Sequence, residues 1–599
     1  MSKPAIQQQA ERLLGLERVK GGEIISRLLA AEGVEHVFGI IDGTYFGMYS
    51  TLAPNGIRLV TPRHETSALH MAGAYARLTG KLGVAMASNG PGVANALPGV
   101  AVEHAEGNRV LLITSCRREG IIDPDRGGTF QFFPQVAAIR AMAKWSEAVP
   151  SVDRLAELLR AALRASFSGR PGVVHLDVPE SIMNCAVEPN PAWFRAPESY
   201  RVTAPIPPQP DQVQAAARML AAAKRPLIHA GSGVIHAGAY AELRQLAELL
   251  GAPITTSWAA RAVVDERIRY AVPMQYVKVV NRARCEADLA LVLGSRLGET
   301  DWWGKPPYWA PASEQKLIQI DIDPSVPGNN RPADLAVLAD VKLFLRQLID
   351  ALRAGGTGAE PAREQWIDSL KTACAERRAK LDEHLKKTHM PMHSAHVATT
   401  CRQIFADDAV LVIDGGNTAI WANFFHEVRS PNTIVTTPKM GMLGAGCSQA
   451  LGAQVAHPGR QVYCVIGDGA MGFHPQEVET AVRNRLPVIW LVLCDKQWGM
   501  VKMNQQFALK PIKTLVKKSL GPDETINADL GEIEFDVLAR AMGAHGERVA
   551  DPAGLRSAIQ RAIASGKPAV IHVDVDPVAH MWAPNLKDFK DMHAEPKGG

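Results

Sequence analysis

An aspartate stands between two glycines at the end of an apolar run, VYCVIGDGAMGF (462–473). A second apolar run, LPVIWLVLC (486–494), ends on Asp495-Lys496-Gln497-Trp498-Gly499. Such runs suit strands covered on both faces, and glycines after them let the chain turn sharply and expose backbone N–H groups. If the two strands are parallel neighbours, their carboxyl ends come together, where open α/β sheets bind ligands. Asp468 and Asp495 then share one site. Two carboxylates with nearby carbonyl groups, Gln497 among them, form a hard-oxygen site suited to Mg²⁺, which shares its shell with phosphate oxygens. The helical pattern HPQEVETAVRNR (474–485) is expected to turn its N-terminus toward the same phosphates. Gly467, Gly469 and Ala470 form the turn. These residues together read as a metal-bridged diphosphate site.

Such a site needs parallel sheets, and the rest of the chain supplies their pattern. Short apolar strands alternate with helical stretches: GGEIISRLLAAEGV precedes HVFGI, LGVAMA precedes VANALPGVAVEHA, and RVLLITS follows. That alternation predicts βαβ units. A proline-rich stretch over 186–210 reads as an extended linker, and AGGTGAEP (354–361) as a second break. Three doubly wound α/β domains are expected at 18–185, 205–350 and 375–580, followed by a tail over 581–599. The first domain closes on RPGVVHLDVPE (170–180) and the third on KPAVIHVDVDP (567–577), each after a helical segment. The echo predicts that the outer domains are copies of one fold. In the middle domain AGSG (230–233) lacks a full dinucleotide fingerprint and reads as a structural turn.

Composition narrows the class. The 599 residues are 47% hydrophobic and 21% charged, with a formal net charge of only +4. Lys and Arg are spread along the chain, so neither a nucleic-acid nor a membrane surface is expected. The eight cysteines form no CxxC pair, and the N-terminus lacks a signal-peptide core. The reading is a soluble, cytoplasmic protein.

With GDG followed, after a helical stretch, by a polar pair at the end of an apolar strand, the chain resembles the thiamine diphosphate (ThDP) enzymes of the acetolactate synthase, pyruvate decarboxylase and benzaldehyde lyase family. The resemblance covers nearly the whole chain. It implies an N-terminal pyrimidine-binding domain, a central domain and a C-terminal diphosphate-binding domain, the outer two sharing a fold. It also implies ThDP and Mg²⁺ as cofactors, and a homodimer or homotetramer with active sites between chains. The stretch TPRHETSALHMAGAYARLTG resembles the helix carrying the catalytic glutamate, which places that role on Glu65. SNGPG (88–92) resembles the loop at the cofactor pyrimidine and brings in Asn89 and Gly90. Phe130 and Gln131 resemble an active-site Phe-Gln pair. Gly441 occupies the place of a carbonyl that holds the pyrimidine amino group, Leu443 that of the wedge that bends the cofactor, and Asn417 lies in the diphosphate-side loop.

The implied chemistry is C–C bond cleavage or formation through a C2 ylide, with Glu65 donating a proton to the aminopyrimidine ring. Substrates expected are 2-oxoacids, aldehydes, acyloins or acyl-CoA thioesters. The alternatives are a 2-hydroxyacyl-CoA lyase or oxalyl-CoA decarboxylase, with the basic run KPIKTLVKK (510–518) holding CoA phosphates, and a non-catalytic ThDP-binding homologue. Two departures stand out. Cys494-Asp495 replaces the usual Asn-Asn, and Asp42 stands where a glycine is usual. The tail, with His580, Met581, Trp582 and Phe589, is expected to join Lys502–Lys518 as a lid, and a cut after Pro577 to spare cofactor binding.

Overall fold

The computed structural model describes residues 18–122, 124–584 and 586. It forms two compact units, one running to Ala204 and including Leu451–Ala456, the other comprising Pro205–Ala450 and the chain from His457 onward.

The first unit is built on a six-stranded parallel sheet. Its strands are β1 (His36–Gly39), β2 (Arg58–Val60), β3 (Gly83–Ala87), β4 (Val110–Cys116), β5 (Trp145–Ala148) and β6 (Val173–Pro179), in the order β2-β1-β3-β4-β6-β5. Every residue of β3, β4 and β6 is buried, as expected of strands covered by helices on both faces. Helix α1 (Glu65–Thr79) begins after His64, whose ring Nδ1 accepts the Thr66 N–H, and ends at Gly80 in the left-handed region (φ 71°). It is buried on almost every side, so its sequence lacks a polar face. Helix α2 (Pro91–Glu106) takes proline in its first turn. The stretch over 186–210, expected to be an extended linker, instead carries short helical turns at Pro191–Trp193 and Pro197–Ser199 and is pinned: Val19–Lys20 pairs with Ala186–Val187, and Trp193 and Tyr200 enter the first core.

The second unit holds two sheets. Strands β7 (Pro226–Ala230), β8 (Ile254–Thr256), β9 (Leu289–Leu293), β10 (Lys316–Asp321) and β11 (Leu335–Leu338) run in parallel in the order β8-β7-β9-β10-β11. A helix, Pro361–Asp382, leads onward. Strands β12 (Val410–Asp414), β13 (Ile434–Val435), β14 (Val462–Gly467), β15 (Ile489–Cys494), β16 (His545–Val549) and β17 (Ala569–Asp574) form the last sheet, in the order β13-β12-β14-β15-β17-β16. Numbered from each sheet's own first strand, this is the order of the first sheet. The outer sheets therefore share one topology, and RPGVVHLDVPE and KPAVIHVDVDP end on corresponding strands.

The AGSG turn serves packing between strand ends. A Cβ on Gly231 would lie 2.2 Å from the Gly294 carbonyl oxygen, and one on Gly233 would lie 2.6 Å from the Gly294 Cα. The glycines let two turns touch.

Candidate active site

Strands β14 and β15 are parallel neighbours, with Gly467 opposite Leu493, so the residues that follow them emerge side by side. Asp468 opens a single helical turn, α3 (Asp468–Met471). Its Oδ1 accepts the Gly469 N–H at 2.7 Å and its Oδ2 accepts the Lys496 N–H at 2.7 Å. Asp495 Oδ2 accepts from Gln497 Nε2 at 3.1 Å, and the same nitrogen donates to the Pro577 carbonyl at 2.8 Å. Burial pushes the Asp468 carboxyl up to about 6, with the charge of Asp495 adding to the effect. Burial pushes Asp495 up to about 7, against the opposing hydrogen bond from Gln497. Two carboxyls raised by burial at adjacent strand ends are the donor set that a divalent cation stabilises.

The helix after the glycine pair differs from expectation. Helix α4 (Glu477–Asn484) starts only after Gly472–Gln476 have intervened, so the amides nearest Asp468 are those of α3. His474-Pro475 interrupts the helical pattern, since proline disfavours helix at the residue before it.

Asn417 heads the helix Asn417–Phe425. Its side chain is buried, and neither Oδ1 nor Nδ2 has a partner. A Cβ on Gly499, the first residue of α5 (Gly499–Leu509), would lie 2.6 Å from Asn417 Nδ2 and 3.2 Å from Asp495 Oδ2. Glycine there lets the amide and the carboxylate converge. A buried amide with both ends unpaired is costly and calls for an outside partner. With Gly415 turned at φ 103° beside it, the group fits a diphosphate carried by a divalent ion. Gly469 instead makes room for an aromatic ring, since a Cβ there would meet Trp498 at 2.7 Å. Ala470 is buried behind the turn. Gly441 is exposed at φ 60°, its N–H donating to the Thr437 carbonyl, and Leu443 is half-buried.

Among the described residues, Glu532, His572 and Asp574 also have metal-ligand spacing. Their carboxylates are already engaged. Arg548 pairs with both Glu532 and Asp574, and Lys496 with Glu532. The hydrogen bonds that Asp468 and Asp495 accept come from main-chain amides and Gln497 rather than from Arg or Lys side chains, and the two remain the candidate ion ligands.

Sequence reasoning took His580 only as an anchor of the tail. It lies in α7 (Pro577–Met581), after α6 (Pro511–Lys517), and its ring bridges Ser394 Oγ (2.7 Å) and Thr418 Oγ1 (3.2 Å). Thr418 follows Asn417, so α7 braces the turn after β12. The short tail pattern carried no sign of this. Beyond α7, Trp582 Nε1 donates to the Lys518 carbonyl and the ring meets Phe507 edge-on. Phe589 and the rest of the tail lie outside the described residues.

In the first unit, Glu65 opens α1 and is buried. Its Oε2 accepts from Asn95 Nδ2 at 3.1 Å, and a Cβ on Gly92 would lie 3.2 Å from its Oε1. Asn95 is a residue that the motif reading passed over; its place one turn into the helix after SNGPG was the available signal. Gly90 sits at φ 65°, and a Cβ there would lie 2.5 Å from the Gln131 carbonyl oxygen. Gln131 itself adopts φ 53°, and Asn89 Nδ2 donates to its carbonyl at 3.3 Å. Asn89, Gly90 and Gln131 thus meet, while Phe130 points outward, 73% exposed.

Three sequence families match in the same order as the sheets. The thiamine pyrophosphate enzyme N-terminal TPP binding domain covers residues 19–138, the central domain 213–348 and the C-terminal TPP binding domain 414–573. The chain belongs to the thiamine pyrophosphate enzyme family and is a ThDP-dependent enzyme. It is 30% identical over 576 residues to an acetolactate synthase large subunit of Mycobacterium tuberculosis, covering 95% of this chain and 98% of that one. It is 27% identical to the acetolactate synthase isozyme 3 large subunit of Escherichia coli over 584 residues, 96% and 97% of the two chains. A probable acetolactate synthase large subunit of Methanocaldococcus jannaschii is 28% identical over 580 residues, 93% of this chain and 92% of the other. No helix among the described residues is long and apolar enough to cross a membrane.

Proposed function

We propose that this enzyme is a carboligase of the acetolactate synthase type, taking a 2-oxoacid as donor and joining its acyl carbon to a second carbonyl compound. The observation that carries this reading is the convergence of Asp468, Asp495 and the unpartnered Asn417 at the ends of β14, β15 and β12. Bound there with Mg²⁺, ThDP supplies a carbon nucleophile and an electron sink for the breaking C–C bond. Asp468 and Asp495 hold the ion, with a carbonyl from Gln497, and Asn417 donates to the diphosphate. Glu65, steadied at Oε2 by Asn95, keeps Oε1 to hold a proton at the aminopyrimidine ring. Gly441 supplies a carbonyl to the ring's amino group and Leu443 sets its orientation. Glu65 and Asp468 belong to different units, and we infer sites completed by pairing of two chains.

Three of the four lysines in the basic run invoked for the CoA-thioester reading already have partners. Lys510 and Lys513 both pair with Glu524, and Lys518 lies over the Trp582 ring. The deciding experiment supplies purified protein with ThDP and Mg²⁺ and offers pyruvate, longer 2-oxoacids, acyloins and 2-hydroxyacyl-CoA thioesters. Carbon dioxide release and ligated product from 2-oxoacids are expected. Turnover of the thioesters alone would overturn the proposal.

A further inference from the structure

One hydroxyl in the first unit joins two loops that are far apart in sequence. Ser115 lies near the end of β4, fully buried. Its Oγ accepts the main-chain N–H of Asn89 at 3.0 Å and lies 2.5 Å from Thr44 Oγ1. Thr44 Oγ1 in turn lies 2.6 Å from Asp42 Oδ1, and the Thr44 N–H donates to that same oxygen at 2.8 Å. The carboxylate can only accept, so the proton order is fixed. Thr44 donates to Asp42, Ser115 donates to Thr44, and Asn89 donates to Ser115.

The main chain of Ser115 is also held. Gln135 Nε2 donates to its carbonyl at 2.8 Å and to Asp177 Oδ1 at 2.6 Å. Asp177 is buried and receives a further bond from Thr114 Oγ1. A network buried at Ser115, Gln135 and Asp177 holds its members in place, whereas a surface loop bonded only within itself would wander.

Resting on the reading of Asn89, Gly90 and Gln131 as site residues, we propose that Ser115 and Thr44 are positioning residues for the reaction: their hydroxyl pair locks the Asp42–Thr44 loop to the Asn89–Gly90 turn. The consequence is a carboxylate, Asp42, presented at a fixed place relative to the SNGPG loop. The pair acts through the two loops it joins.

The test uses full-length protein carrying Thr44→Val, Thr44→Ser, Ser115→Ala and the Thr44→Val/Ser115→Ala double change. Amide exchange over residues 40–46 and 87–92 is followed without cofactor, alongside ThDP affinity and steady-state kinetics. Thr44→Val is nearly isosteric, so the fold is retained, and exchange is expected to quicken in both loops at once. Losing the hydroxyl's bonds to Asp42 and Ser115 should raise KM for the 2-oxoacid about tenfold, with the ThDP affinity within about threefold of wild type. Thr44→Ser keeps the hydroxyl and should restore both readouts. The double variant should fall short of the sum of the two single effects, because both changes remove the Thr44–Ser115 bond. Unchanged exchange in the loop remote from each substitution, or additive effects in the double variant, would overturn the proposal. If the wild type turns over no 2-oxoacid, the functional reading falls, and the exchange data alone decide the positioning role.

Discussion

The main-chain amide of Lys496 donates to Oδ2 of Asp468 at 2.7 Å, so the turns after β14 and β15 are joined through the carboxylate itself. Lys496 reaches this position at φ 57°, in the left-handed region. Asp468 thus orders the neighbouring turn as well as offering oxygen to an ion.

Replacing Asp468 with Ala should therefore do more than remove one ligand. ThDP affinity is expected to fall by at least about a hundredfold in a Mg²⁺ titration, beyond the roughly 10–100-fold cost typical of outer-shell changes. Asp495→Asn removes a buried charge and keeps an oxygen ligand, and should bind within about tenfold of wild type. Equal affinity of Asp468→Ala and wild type across the titration would refute the coordination.

Glu65→Gln keeps the bond from Asn95 and the shape but removes the acid. Exchange of the cofactor's C2 proton, followed by NMR in the loaded enzyme, should slow by about a hundredfold or more. Unaltered exchange in a folded, loaded variant would move the proton-holding role elsewhere.

At Gly499 two effects compete. Alanine near a helix start gains up to about 1 kcal/mol in propensity. The added Cβ, however, would lie 2.6 Å from Asn417 Nδ2 with nothing flexible to yield except the site itself. Overpacking of this kind typically costs about 1–3 kcal/mol, so Gly499→Ala should lower the melting temperature and weaken ThDP binding together. A stabilised variant with normal binding would show that Asn417 moves freely.

Two buried groups bonded to Thr114 give opposite pH signatures. Burial raises the Asp177 carboxyl to about 6 and lowers His175 to about 3. The Asp177 contribution is full below about 4, its ordinary value, and is lost as pH rises through about 6. The His175 contribution is full above about 6.5 and is lost as pH falls toward 3. Between about 4 and 6 the two changes offset. Asp177→Asn removes one side, so chemical denaturation of that variant should show stability falling on acidification from pH 6.5 to 4 by up to about 3 kcal/mol more than wild type. Parallel profiles would rule out the assignment.

The structure revises the expectation for the tail. A cut after Pro577 removes His580 and Met581, which support Thr418 and meet Gln506. That truncation should lose cofactor affinity and stability. Ending the chain after Leu586 instead should leave ThDP binding within about threefold and change kcat or KM. Wild-type kinetics in the longer truncation would dismiss the lid.

The architecture was legible because strands covered on both faces write themselves as apolar runs, and because those runs end where the site lies. Asp468 and Asp495 were found that way. Asn95 was not, and His580 was read only as a tail anchor. Asn95 works across two helices, and His580 reaches Thr418 over 162 positions of sequence, with no periodicity to announce either. The Ser115 relay was hidden for the same reason, its partners being 26 and 71 residues away. The late start of α4 was missed because the apolar spacing of HPQEVETAVRNR outweighed its proline.

The shared strand order of the outer sheets bears on ancestry. Corresponding third strands, β3 and β14, run into Ser88-Asn89-Gly90 in one copy and Asp468-Gly469 in the other. A single ancestral sheet would have had to serve both ends of an elongated cofactor with one loop sequence, by pairing with itself. With two copies, one turn carries an amide and glycines and the other a carboxylate, so the same strand end serves two different chemistries.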